Sequence, residues 1–135
     1  MLIIVVKFYS LRMSSKISTI MAEYTIDAAK KRLGRLASEI AVILQGKKSA
    51  NYNPRLPGDD KVIVKNIEKL EVSGKKEKQK IYFRHTGYMG HLKEEKFLDV
   101  VNKKGKAEVL RRAVMRMLPK NKLQIIRIKR LKIEK

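Results

Sequence analysis

Apolar and polar positions alternate with different periods along this chain, and each change of period predicts a different element. Tyr24-Thr-Ile-Asp27 alternates and predicts a first strand. The basic run Lys30-Lys31-Arg32 follows. Then Leu33, Leu36, Ala37, Ile40, Ile43 and Leu44 recur at helical spacing, and Gly46 stands where such a helix stops. Asn51 to Lys61 carries two prolines and a glycine and predicts a loop. Val62-Ile-Val64 reads as a short buried strand, Asn66 to Leu70 as a helical turn, and Leu70-Glu-Val72 as a further strand. Charged residues from Lys75 to Lys80 lead into the β-formers Ile81-Tyr-Phe83. Helical stretches are predicted over Lys93 to Asn102 and Ala107 to Leu118, separated at Gly105 and halted by Pro119. Strands interleaved with helices predict a single α/β domain with a mainly parallel sheet.

The N-terminal stretch has five consecutive apolar residues, Leu2 to Val6, against roughly 20 needed to span a bilayer. It lacks the layout of a secretory signal. Its freedom from Asp and Glu suits an organellar transit peptide, but acid-poor composition alone does not make one, and the plainer reading is a dispensable extension or an upstream start codon, with the working chain beginning near Met13 or Met21. Residues 1–21 are therefore expected to be an extension and residues 22–135 the working domain.

Charge narrows the function classes. The 135 residues include 33 Lys and Arg against 13 Asp and Glu, a formal net charge of +20, an excess that repels itself unless a polyanion screens it. Nucleic acid is the leading partner, held by an electrostatic contribution that weakens as salt rises. Zero cysteines exclude disulfides, Cys-type zinc sites and thiol catalysis. From residue 111 to the end, ten Lys and Arg face Glu134 alone, as in polyanion-binding tails. Ile125, Ile126, Ile128, Leu131 and Ile133 would equally give that segment a membrane-facing side or a core-facing one.

Catalytic and metal patterns are weak. Gly46-Lys-Lys-Ser49 lacks the glycine that a phosphate-binding loop needs five positions earlier, where Ala41 stands. His85 and His91 have only Glu94 and Glu95 near them, too few ligands for a metal. Asp59 and Asp60, adjacent in a Pro/Gly loop, read as solvated turn residues. Tyr82 to Gly90, YFRHTGYMG, suits binding better. Arg84 offers a planar fork for phosphate, His85 and Thr86 can donate hydrogen bonds, and Gly87 and Gly90 let a backbone approach. Tyr82 and Tyr88 supply stacking faces, an arrangement that fits unpaired RNA. On this reading Ile81 and Phe83 are buried, Tyr82 faces outward, and the loop after the strand meets RNA. Lys30, Lys31, Arg32 and Arg35 crowd a predicted helix N-terminus, where an anion would offset their repulsion by the helix dipole.

His85-Thr-Gly-Tyr88 and Met117-Leu-Pro-Lys-Asn-Lys-Leu123 resemble the two signature stretches of the large-subunit ribosomal protein L-thirteen family, in its bacterial and organellar form. Tyr24-Thr-Ile-Asp-Ala28, Leu33-Gly-Arg-Leu-Ala37, Gly46-Lys47, Asn66 with Glu68-Lys69, and Val72-Ser-Gly-Lys75 agree in order and spacing. The resemblance implies a three-layer α/β/α domain around a four-stranded, largely parallel sheet. It implies a structural role in binding 23S-type large-subunit rRNA early in assembly, beside neighbouring ribosomal proteins, with no catalysis, cofactor, metal or membrane. Its host would be a cytoplasmic ribosome, or an organellar one if residues 1–21 are a transit peptide. Residues implied in rRNA contact are Arg35, Lys47, Arg84, His85, Thr86, Gly87, Tyr88, Lys120, Asn121 and Lys122. Lys30, Arg32, Lys48, Lys75 and Lys76 join them on electrostatic grounds. Two stretches depart from the family pattern. Met89-Gly90-His91 replaces the usual Pro-Gly-Gly, and Gln124-Ile125 replaces Gly-Arg. A free RNA-binding or mRNA-binding translational regulator is the alternative reading, since members of the family also act in that way.

Overall fold

The computed structural model of the protein describes residues 22–134, so the expected N-terminal extension lies outside the described residues. Strand β1 (Glu23–Asp27) pairs in parallel with β2 (Lys61–Lys65), Tyr24 opposite Val62. Strand β5 (Leu131–Ile133), numbered in chain order, adds to the other side of β2, with Val62 opposite Leu131. The central position of β2 explains its composition, because Val62 and Val64 are fully buried. Each contributes on the order of 1.5–3 kcal/mol through burial.

Helix α1 (Leu33–Leu44) connects β1 to β2 and buries the predicted stripe, Leu33, Leu36, Ala37, Ile40, Ile43 and Leu44, with Ala41 beside it. It ends at the predicted stop. Gly46 takes φ +76°, the left-handed conformation that glycine adopts without steric cost, and the Lys47 N–H donates back to the Val42 carbonyl at 3.2 Å.

The long connection from β2 to β5 holds a 3-10 turn (Ile67–Lys69) and the short helix α2 (Lys76–Gln79). An antiparallel hairpin follows, β3 (Ile81–His85) and β4 (Leu92–Lys96), and then helices α3 (Phe97–Met117) and α4 (Leu123–Ile128). Helix α3 is broken at Gly105, φ +80° and ψ 172°, where the sequence predicts a separation. Both parallel crossovers step the same way through the order β1-β2-β5. Right-handed connections then bring α1 and α3 to one side of the sheet, and the two pack on each other.

Four expectations change. Among the described residues the parallel sheet has three strands, not four, and α1 and α3 share a side instead of flanking the sheet as separate layers. Leu70–Val72 forms only a bridge, Arg32 to Glu71. The Leu33 N–H donates to the Glu71 carbonyl at 3.0 Å and the Glu71 N–H to the Lys31 carbonyl at 3.1 Å, and the turn into α1 at Leu33 ends the ladder there. Second, the helix predicted from Lys93 begins only at Phe97, because pairing with β3 overrides the helical preference of Lys93-Glu-Glu-Lys96.

Third, the strand parity around Tyr82 is reversed. Tyr82 is 6% exposed, whereas Ile81 and Phe83 are 38% and 55% exposed. The Tyr82 side of β3 carries the packing with Phe97 at the start of α3, so the larger ring takes the core position. Fourth, the C-terminal segment is no free tail. Ile128 is buried in the core, Leu131 and Ile133 pack against it, and Arg127 is itself 2% exposed.

Candidate nucleic-acid interface

The β3–β4 hairpin sets the geometry of YFRHTGYMG. His85 lies opposite Leu92 at the last pair of the ladder, and the loop from Thr86 to His91 closes on itself. The Thr86 N–H donates to the His91 carbonyl at 3.3 Å and the His91 N–H to the Tyr88 carbonyl at 3.2 Å. Gly87 and Gly90, at φ +98° and +72°, supply the positive-φ backbone that lets the loop reverse without the proline usual in the family. His85 Nδ1 accepts the Gly87 N–H at 3.0 Å, which turns Nε2 outward as the donor. Tyr88 is 75% exposed and meets the His91 ring edge-on at 6.2 Å. The loop therefore presents a ring face, an imidazole and a hydroxyl to solvent.

Tyr82 belongs to a different environment. Its ring stacks on Phe97 at 6.4 Å, and Lys80, Arg112 and Arg116 stand within 5.1 to 5.3 Å of its centroid. Burial pushes its hydroxyl above the ordinary value of 10.0, against the pull of Arg112 and Arg116. A ring so covered is unavailable to a base, so Tyr88 alone of the two expected stacking residues is presented.

The basic residues form separate groups. Lys30, Arg32 and Arg35 lie at the start of α1, all exposed. Lys31 beside them bonds Glu39 at 3.3 Å, and the first helical N–H is taken by Glu71. Lys47 and Lys48 stand at the opposite end of α1, and Lys48 Nζ lies 5.5 Å from the Tyr24 ring centroid. Lys75 and Lys76 open α2. Lys120, Asn121 and Lys122 form the exposed turn between α3 and α4, where the Gln124 N–H donates to the Asn121 carbonyl at 3.0 Å. All fifteen expected site residues are exposed. None of their cations is in an ion pair among the described residues.

Several residues that matter to this surface were not singled out by sequence reasoning. Arg112 donates from Nη1 to Glu95 at 2.9 Å and from Nε to Glu108 at 3.1 Å, tying β4 to α3 and holding the Glu95 carboxyl below its ordinary range. The Glu108/Arg112 spacing of four was a legible signal. Gln124 Nε2 donates to the Met115 carbonyl at 2.6 Å and to that of Leu118 at 3.4 Å, so a departure from the family pattern caps the end of α3. Asp60, expected as a solvated turn residue, is 8% exposed. Burial raises its carboxyl, Asp59 adds to the rise, and Arg130 opposes it. Among the described residues no three His, Cys, Asp or Glu converge as metal ligands, and no helix is long and apolar enough to cross a membrane.

Exposed cations without ion-pair partners among the described residues, with an aromatic loop beside them, give this α/β domain a basic surface. The family model described as ribosomal protein L13 matches residues 21–134, and the chain belongs to that family. It is 49% identical over 110 residues to the large ribosomal subunit protein uL13 of Clostridioides difficile (strain 630), covering 82% of this chain and 76% of that one. The uL13 protein of Rubrobacter xylanophilus is 44% identical over 110 residues, with 82% and 76% covered. That of Chloroflexus aggregans is 48% identical over 100 residues, with 74% and 69% covered.

Proposed function

We propose that the protein is a structural, non-enzymatic constituent of the large ribosomal subunit that binds large-subunit rRNA and neighbouring ribosomal proteins and acts early in subunit assembly. Membership of the L13 family supports the role, and the observation that carries the binding is the set of exposed cations without carboxylate partners among the described residues. Its rRNA is of the 23S type, and its place is a bacterial-type ribosome. Residues 22–135 are the working unit. Arg35, Lys47, Arg84, His85, Thr86, Gly87, Tyr88, Lys120, Asn121 and Lys122 are its RNA contacts, with Lys30, Arg32, Lys48, Lys75 and Lys76 adding charge.

Sucrose-gradient sedimentation of a lysate tests this reading. The protein is expected in large-subunit and monosome fractions after a high-salt wash. Recovery only in light, salt-released fractions would reject it in favour of a free RNA-binding or mRNA-binding regulator. At residue level, Arg84→Ala and Lys122→Ala should each weaken rRNA binding and reduce its salt slope by about one unit.

A further inference from the structure

Between the β3–β4 hairpin and α3 lies a cleft of about 590 Å3 whose walls include Tyr82, Arg84, Lys93, Lys104, Arg112 and Arg116. Two carboxylates also line it, Glu95 and Glu108, and both are bonded to Arg112. That leaves Arg84, Lys93, Lys104 and Arg116 without an ion-pair partner among the described residues.

Their arrangement is unfavourable in the protein alone. Arg84 and Lys93 are directly opposite each other across the hairpin, a like-charge cross-strand pair that opposes pairing. Arg116 and Arg112 both stand over the Tyr82 ring, 5.3 and 5.1 Å from its centroid. Cations drawn from β3, β4 and α3 into one concavity are relieved by an anion that reaches all of them at once. A strand of successive phosphates does so, offering one anionic group after another along the cleft. Guanidinium planes inside the cleft can also stack on an unpaired base.

We infer that this cleft is a second RNA-binding site, which seats the sugar–phosphate backbone of an unpaired strand against Arg84 and Lys93 on the hairpin and Lys104 and Arg116 on α3. The inference rests on the ribosomal reading for its ligand class. It shares Arg84 with the contacts already proposed, adds Lys93, Lys104 and Arg116, and lies on the Tyr82 face of the hairpin.

The test measures binding of a short oligouridylate to the full chain across a salt series. Lys93→Gln/Lys104→Gln should make the slope of log K against log salt shallower by about 1.4, from about 0.7 per single-strand phosphate contact. Lys129→Gln/Lys132→Gln, outside the cleft, should leave it unchanged. Both cleft lysines are exposed, and if the double variant does not fold, each single variant should read about 0.7. An unchanged slope, or an equal change in the control pair, overturns the inference. So does displacement of the RNA by poly-glutamate at equal charge concentration, which would assign the cleft to an acidic protein segment. Failure of the wild-type chain to sediment with the large subunit, with the slope difference intact, would strike the ribosomal reading and leave the cleft standing.

Discussion

Arg127 is buried, and its Nε donates to the Pro57 carbonyl at 3.1 Å while Nη2 donates to the Leu56 carbonyl at 3.0 Å. A residue of α4 thus pins the loop between α1 and β2 across seventy positions of sequence. Arg130 assists, with Nη1 3.4 Å from the same Pro57 carbonyl and Nη2 4.0 Å from Asp59. Two of the C-terminal cations are therefore part of the fold, and the loop they hold packs Gly58 against the Gly46 turn that ends α1.

Replacing Arg127 by Ala removes two charged-donor hydrogen bonds, which takes the donor from the Leu56 carbonyl and leaves the Pro57 carbonyl with Arg130 alone. Such bonds contribute about 1.5–3 kcal/mol each when the donor is ionised, so Arg127→Ala, which loses two, should lower unfolding free energy by about 3–6 kcal/mol in denaturant titrations. Arg127→Lys should recover part of the loss. A change under about 0.5 kcal/mol in the alanine variant would mean that the loop holds itself.

The reversed parity of β3 makes Tyr82 and Phe83 unequal. Tyr82→Ala empties a packed site against Phe97 and should destabilise by about 3 kcal/mol or more, while Phe83→Ser should stay within about 0.5 kcal/mol. Thermal melts of the two variants read the difference directly. Equal losses would contradict the burial of Tyr82.

What could be read from sequence followed local rules. The α1 stripe and its stop at Gly46, the strands at Tyr24 and Val62, and the break at Gly105 follow from periodicity and glycine conformation, which neighbouring residues determine. Whatever depended on distant partners was hidden. Lys93 to Lys96 is a strand only because β3 lies beside it, and Tyr82 faces inward only because Phe97 and Arg112 stand behind it. Leu70–Val72 stops at a single bridge because its partner Arg32 leads straight into α1. The candidate contact residues were legible as residue types, since exposed Lys, Arg, His and Gly in turns need no tertiary knowledge. Their grouping, and the opposition of Arg84 to Lys93, required the hairpin register.

Asp60 predicts a pH effect with a definite sign. Burial, reinforced by Asp59, lifts its carboxyl above the ordinary value of 3.8, so the folded chain holds that proton more tightly than the unfolded one. The resulting contribution to stability is present below the unfolded value and is lost as pH rises through the folded one. Asp60→Asn, which keeps the shape and removes the charge, should therefore be more stable than the parent at pH 7, with the gap closing near pH 3. Denaturant midpoints at the two pH values decide it. A variant less stable at pH 7 would show that attraction to Arg130 outweighs the cost of burial.

Gln124 offers a way to separate the shape of the C-terminal turn from its charge. Its side-chain amide holds the carbonyls of Met115 and Leu118 at the end of α3, and Lys120 and Lys122 flank the turn so formed. Gln124→Ala should cost about 1 kcal/mol, the usual net value of a lost neutral hydrogen bond. Gln124→Gly, which restores the family's usual residue, should cost about 1 kcal/mol more, because glycine disfavours the helical conformation that α4 requires there. Neither change removes a charge. The salt slope of RNA binding should therefore be the parent's in both variants, with affinity falling only as far as the turn loosens. A shallower slope in Gln124→Ala would show that Lys120 and Lys122 engage phosphate only when the amide fixes the turn, making the cap part of the binding surface.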